Sequence, residues 1–137
     1  SNIYEAFENN VIGTKHLIEL SYKYNVKNFL MISTDKAVKP TSIMGSTKRI
    51  SEILLNGINN LIRSKNLNNN FYTVRFGNVY GSNGSVIPLF YEQIKNFKKV
   101  TLTHKDVTRY FMTIKEAVIL VLESAVCISI AAKVVAS

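Results

Sequence analysis

Asp35 and Lys36 are the residues with the clearest capacity for chemistry: a carboxylic acid beside an amine, directly after the hydroxyls of Ser33 and Thr34. A protonated carboxyl can give a proton and a neutral amine can take one, so such a pair can serve as general acid and general base. Met44 and Lys48 follow on a predicted helix, four apart and therefore on one face. Taken alone, Thr-Asp-Lys is more often an ordinary solvated loop ahead of a capped helix. Its position argues for more. Asn28-Phe29-Leu30-Met31-Ile32-Ser33 is a short continuous apolar run, suited to a strand buried on both faces. The acid and amine therefore fall at the carboxyl edge of a sheet, where open α/β folds bind their ligands.

The flanking elements supply the frame. Phe7, Val11, Leu17, Leu20 and Tyr24 recur at helical spacing and predict a helix over roughly residues 3–24. After the strand, Pro40 and Thr41-Ser42 make a loop and a helix start. Ile43, Ile50, Leu54, Ile58 and Leu61 carry a second long helix. Residues 66–70 form an Asn-rich turn, and Phe71 to Phe76 a second strand ending at Gly77. Helix, strand, helix, strand in this order implies a parallel sheet with crossover helices. Gly45 costs about 1 kcal/mol in a helix relative to Ala, which close approach to a cofactor or to the sheet would justify. Beyond Gly81 the elements shorten: a loop over 82–85, a helix from Ile87 to Phe97, a strand from Val100 to Thr103 and a helix from Lys115 to Ala125. They read as an appendage beside the sheet.

Composition narrows the classes. The 137 residues are 47% hydrophobic and 19% charged, as in a globular domain. The net charge of +8 favours anionic partners, but the basic residues are scattered. No basic block, zinc finger or RNA-recognition signature is present, so nucleic acid is not an expected partner. Cys127 is the only cysteine, which excludes a disulfide framework or a thiolate metal site within the chain, and no metal is expected. Ser1 to Asn10 lacks the apolar core of a signal peptide. Ala117 to Ser137 is about long enough to span a bilayer. Glu123 and Lys133 interrupt it, and Ile114, Ala117, Val118, Val121 and Leu122 recur at helical spacing, so a buried amphipathic helix with an irregular tail is expected. No strand leads into Gly-x-Gly-x-x-Gly or Gly-x-x-Gly-x-x-Gly; Gly81 and Gly84 have no third glycine at the right offset. A dinucleotide fold read into this chain would lack its first half.

Many short pieces, in order over roughly residues 3–125, carry a family resemblance. They include Asn10-Val11-Ile12-Gly13-Thr14, Ile32-Ser33-Thr34-Asp35-Lys36-Ala37-Val38, Met44-Gly45 and Thr47-Lys48-Arg49. Further on come Val74-Arg75-Phe76-Gly77-Asn78-Val79, Gly84-Ser85-Val86-Ile87-Pro88 and Thr108-Arg109-Tyr110-Phe111-Met112-Thr113. The pattern resembles the extended short-chain dehydrogenases/reductases, and within them the UDP-N-acetylglucosamine 4,6-dehydratases of polysaccharide biosynthesis. The resemblance implies an α/β fold: a partial Rossmann-like parallel sheet with part of a small substrate-binding region. Residues 1–81 would be the C-terminal half of the cofactor domain, 82–125 the UDP-sugar region, and 126–137 a divergent or truncated tail.

The superfamily's Tyr-x-x-x-Lys is replaced by Met44-x-x-x-Lys48, and a thioether cannot act as a base. Methionine at this place is similar to the larger, membrane-anchored dehydratases. The family chemistry removes hydride from C4 of the sugar, eliminates water across C5 and C6, and returns the hydride to C6. By resemblance, Lys36 takes the C5 proton and Asp35 protonates the C6 hydroxyl, while Thr34 with a water relay takes the proton from O4. A basic Lys36 must be neutral, which Lys48 and a cationic nicotinamide would favour; an acidic Asp35 must hold a proton, which neighbouring lysines oppose. Lys48 is similar to the lysine on the nicotinamide ribose, with Ser33 beside the cofactor. Asn10 is similar to the asparagine that supports that lysine through water. The segment from Asn78 to Pro88, with Ser85 and Val86, would wrap the UDP-sugar, and Arg109 would pair with its diphosphate. His104 is expected to be structural, His16 to lie on the surface, and Tyr80 and Phe111 to be core or ligand contacts.

The implied cofactor is NAD or NADP, and the choice between them lies in the absent half. The implied partner is a UDP-sugar. The parent enzyme is expected to be a homo-oligomer, cytoplasmic or held at the cytoplasmic face of the inner membrane through an N-terminal region. Alternatives are an inverting dehydratase/5-epimerase on the same donor, and a catalytically inactive binding module.

Overall fold

A computed structural model describes residues 2–81, 86–97, 99–100, 106, 108 and 111–135. The chain opens with a helical rod in three parts: α1 (Ile3–Phe7), a π-helical segment (Glu8–Ile12) and α2 (Gly13–Lys23). Asn2 begins it, its side-chain oxygen accepting from the Tyr4 amide at 3.1 Å. Asn25 ends it in the left-handed region (φ 55°), which asparagine tolerates better than most residues.

Strand β1 (Asn28–Thr34) follows and leads into a 3-10 turn (Asp35–Ala37). Helix α3 (Ile43–Ser64) starts at Ser42, whose hydroxyl accepts from the Gly45 amide at 3.2 Å. Asn66 (φ 53°) then turns the chain into β2 (Asn70–Phe76). β1 and β2 pair in parallel from Asn28 opposite Asn70 to Thr34 opposite Phe76, the arrangement that the alternation of helix and strand predicts. A separate two-residue parallel pair joins β3 (Asn78–Val79) to β4 (Phe111–Met112). Helix α4 (Val86–Phe97) and helix α5 (Ile114–Val135) complete the described elements. Thr113 and Glu116 form a capping box at the start of α5: each side chain accepts from the other's amide, at 3.2 and 2.6 Å.

The core lies between the sheet and the two long helices. Ile18, Met31, Leu55, Ile62 and Phe71 are buried together, with Tyr22, Phe29, Leu54 and Ile58 packed around them. Each large apolar side chain so removed from water contributes about 1.5–3 kcal/mol. Helix α5 lies against both β1 and β2.

The structure defines which face of each predicted helix packs, and it corrects the expectation for the C-terminal helix. The inward face of the first rod is Val11 and Ile18, whereas Leu17 is 58% exposed and Leu20 and Tyr24 also face outward. On α3 the inward face is Ser51, Leu55 and Ile62, while Ile50, Ile53 and Leu61 are exposed. The apolar spacing marked the packing side only in part: Val11 on the rod is buried, and Leu54 and Ile58 on α3 pack against the core. Helix α5 neither stops near Ala125 nor is buried: it continues to Val135, Ala117 is its buried residue among those described, and Val118 and Leu122 are exposed. Among the described residues, no helix is long and apolar enough to cross a membrane. The strand expected from Val100 to Thr103 lies largely outside the described residues, and Val100 itself is in no strand.

Candidate active site

The parallel pairing brings the carboxyl ends of β1 and β2 side by side, and the reactive pair sits there. Thr34 caps the 3-10 turn: its hydroxyl oxygen accepts from the Lys36 amide at 3.4 Å and donates its own proton to Asp35 Oδ1 at 3.0 Å. Lys36 Nζ lies 3.2 Å from the same Asp35 oxygen and 3.2 Å from Asn78 Oδ1. Asn78 arrives from the end of β2 by way of Gly77. Three residues of β1 and its turn and one from beyond β2 thus meet at a single point. Burial pushes the Asp35 carboxyl up, but the hydrogen bonds from Lys36 and Thr34 and the lysine's charge outweigh it, leaving the group below its ordinary value. The free chain therefore holds Asp35 as a carboxylate, paired with Lys36.

Lys48 reaches the same edge from α3 and donates to the Ile32 carbonyl at 3.2 Å. An ammonium has three protons to donate, so two remain for a ligand. Met44, one turn earlier, is exposed. Asn10 does not contact Lys48 directly. Its side-chain amide donates to the Thr47 hydroxyl at 3.1 Å, and Thr47 in turn donates to the Met44 carbonyl at 3.1 Å. The Asn10 carbonyl accepts from the Ser51 hydroxyl at 2.5 Å. The first rod is thereby bonded to α3 on both sides of Lys48, through its backbone as well as its side chain.

Ser33 points away from this edge, as alternation along a strand requires. It is 4% exposed, and its hydroxyl has no hydrogen-bond partner among the described residues. On that side lies Glu52, a residue sequence reasoning missed. Its carboxylate is 3% exposed and accepts two bonds from Arg75, at 2.8 and 2.7 Å, and one from Arg49 at 3.1 Å. The Arg75 bonds draw the carboxyl down and burial opposes them. The nearby Ser33 hydroxyl, Arg49 and the Arg75 charge add to the fall, from 4.5 to about 2. An open groove of about 400 Å³ runs beside this cluster, lined by Arg49, Glu52, Asn56, Thr73 and Arg75. The sequence carried no signal for Glu52, because it becomes distinctive only beside Arg75, which another element brings to it.

Ser85, His104 and Arg109 lie outside the described residues, as does the side chain of Val86, the first residue of α4. Tyr80 is exposed and its amide donates to the Met112 carbonyl at 2.7 Å; Phe111 is partly exposed beside it in β4. Among the described residues no cluster of His, Cys, Asp and Glu could hold a metal.

A family model described as "Polysaccharide biosynthesis protein" matches residues 1–135. The capsular polysaccharide biosynthesis protein CapD of Staphylococcus aureus is 51% identical over 123 residues, covering 90% of this chain and 20% of that protein. A UDP-glucose 4-epimerase of Rickettsia canadensis is 40% identical over 119 residues, covering 86% of this chain and 34% of the relative. The X-ray structure of Pen from Bacillus thuringiensis superposes with a TM-score of 0.79 at 38% identity, over 90% of this chain and 37% of Pen. The chain thus spans between a fifth and two fifths of the length of these proteins.

Proposed function

The chain belongs to the polysaccharide biosynthesis protein family of extended short-chain dehydrogenase/reductase type, and on that footing we propose that it carries the acid–base centre of a nucleotide-sugar 4,6-dehydratase. The substrate is UDP-N-acetylglucosamine and the product a UDP-4-keto-6-deoxy-N-acetylhexosamine. The observation that carries this reading is Lys36 Nζ held between Asp35 and Asn78 at the sheet edge. An epimerase needs no such pair, because it breaks no C6–O bond.

The chemistry that a nicotinamide dinucleotide supplies when bound is removal of hydride from C4 and its return at C6. The donors on this chain fit its nicotinamide side: Lys48 has two ammonium protons to spare for ribose hydroxyls. Met44 cannot take the proton from O4, so Thr34 does so through a water. Its hydroxyl is held in place by donating to Asp35, and the water passes the proton from O4 to solvent, since Asp35 receives its own proton from Lys36.

The elimination needs a neutral amine and a protonated acid, whereas the free chain holds an ammonium and a carboxylate. Both are half-exposed, and a sugar laid over them excludes water. Desolvation disfavours the charged forms of both groups, so one proton moves from Lys36 to Asp35. Lys36 then takes the C5 proton, made acidic by the C4 ketone, and the C5–H electrons form the C5–C6 double bond. The C6–O bond breaks, and Asp35 returns its proton to the departing oxygen, which leaves as water. Once hydride has returned to C6, C5 needs a proton, and the Lys36 ammonium gives it back there. The amine then regains a proton from solvent, in place of the one that left O4, so the pair ends as ammonium and carboxylate, the state found in the free chain.

Assembly into a homo-oligomer and attachment at the cytoplasmic face of a membrane complete the proposal for the whole enzyme. The relatives named UDP-glucose 4-epimerase favour a second reading, inversion at C4 without loss of water. One experiment separates the two: NMR of the products formed from UDP-N-acetylglucosamine in deuterated water by the enzyme containing this segment. A 4-keto-6-deoxy sugar with deuterium at C5 is expected, and the configuration at C5 distinguishes retaining from inverting dehydration. A C4 epimer with C6 still hydroxylated would refute the proposal.

A further inference from the structure

Helix α3 contains two glycines, and their surroundings differ sharply. Nothing lies within 4 Å of a Cβ placed on Gly57. A Cβ on Gly45 would stand 2.6 Å from the carbonyl oxygen of Lys36, 3.2 Å from its carbonyl carbon and 3.3 Å from Ser42 Oγ. The first two are backbone atoms, so no side-chain rotation relieves the clash. Gly45 is buried in the first turn of α3, the turn that carries Met44 and leads to Lys48. The atoms it meets belong to the 3-10 turn that carries Asp35 and Lys36, with Ala37 beside them fully buried. The close approach within the chain is therefore to the main chain of the acid–base pair.

We propose that Gly45 is a positioning residue for Lys36. The bare Cα lets the start of α3 seat directly on the Lys36 carbonyl. That contact, with the Thr34 cap on the other side, fixes the turn so that Lys36 Nζ reaches both Asp35 and Asn78. Lys36 hangs on a flexible chain, and only its main-chain anchor limits where its amine can go. Moving the turn by the half-ångström or more that a Cβ requires would carry Nζ off one of its two partners at 3.2 Å. The inference deepens the function proposed above, since it matters to catalysis only if Lys36 is the base.

The test compares Gly45→Ala with Gly57→Ala in this chain. Thermal unfolding and nitrogen-detected NMR of the Lys36 ammonium and the Asn78 side-chain amide are the readouts. An alanine replacing an unconstrained helix glycine stabilises the helix, so Gly57→Ala is expected to raise Tm and leave both signals in place. Gly45→Ala is expected to lower Tm, shift both signals and lose the Lys36–Asn78 hydrogen bond. A rise in Tm for Gly45→Ala, or unshifted Lys36 and Asn78 signals, overturns the proposal. If Gly45→Ala does not fold, the spectra are recorded in trimethylamine N-oxide, which favours the compact state; wild-type signal positions there also overturn it. Neither readout needs turnover, so a failure here is distinct from a failure of the dehydratase assignment, which the product analysis decides.

Discussion

Replacing Glu52 with glutamine keeps the shape of the side chain and removes its charge. The structure sets the magnitude. A carboxyl that falls from 4.5 to about 2 on folding corresponds to about 3.4 kcal/mol, at about 1.4 kcal/mol per pH unit. Arg49 and Arg75 are each about two fifths exposed, so water screens part of the interaction and about 2–3 kcal/mol is the realistic loss at neutral pH. The sign follows from the direction of the shift. The folded value lies below the unfolded one, so the stabilisation is complete above about pH 5, declines as the unfolded chain takes up its proton near 4.5, and is gone near 2. Urea denaturation of wild type and Glu52→Gln from neutral to acid pH measures this as a difference, in which the other carboxylates cancel. The two stabilities should differ by about 2–3 kcal/mol at pH 7 and converge toward pH 2. A constant difference across that range, or one below about 0.5 kcal/mol at pH 7, would show that the two arginines do not hold Glu52 as the structure implies.

In the enzyme containing this segment, Lys36→Ala should cut dehydration by about 10²–10⁴-fold, the usual contribution of a general base; near-normal deuterium uptake at C5 would remove Lys36 from that role. Met44→Tyr should retain hydride transfer with a modest change in rate, followed by cofactor absorbance in single turnovers; complete loss with the fold intact would mean that the thioether shapes the site. The isolated chain should not bind NAD or NADP at micromolar concentration in isothermal titration, because it lacks the glycine turn and helix N-terminus that seat the pyrophosphate; micromolar binding would show that Lys48 and its neighbours suffice.

Local chemistry was legible in the sequence, and long-range pairing was not. The run from Asn28 to Ser33 proved to be β1 but is not buried on both faces, since Met31 and Ser33 are buried while Ile32 is half exposed; charge immediately after it marked the turn at the sheet edge. Ser42 announced the start of α3 through its capping chemistry. The bond from Lys36 to Asn78 was not readable, because residues 42 apart meet only once β1 and β2 pair in register. Glu52 and Arg75 are hidden for the same reason: each is an ordinary surface residue until the other neutralises it. Nor could spacing choose between the two apolar sides of α2, since Leu17 and Ile18 are equally hydrophobic. Gly45 was legible as an anomaly, but its partner, a carbonyl on another element, was not.

The π-helical segment at Glu8–Ile12 lets the first rod absorb a change in its length. A π turn accommodates one residue more than the α-helical turn it replaces, and the Asn10 carbonyl there is the one that Ser51 grasps. Glu8 and Asn9 are exposed, so a change of side chain at either should pass almost unnoticed. Removing either residue should be absorbed as well. The rod could then close into a plain α-helix with the parts before and after the gap keeping their phase, because the π turn already holds the extra residue; one residue removed from an uninterrupted α-helix would instead turn one part by about 100° against the other. Asn10 and Ile18 both follow the gap, so the bonds to Thr47 and Ser51 and the core contact stay together. Tolerance of replacement and tolerance of deletion, which come apart on most helices, should therefore go together over this segment.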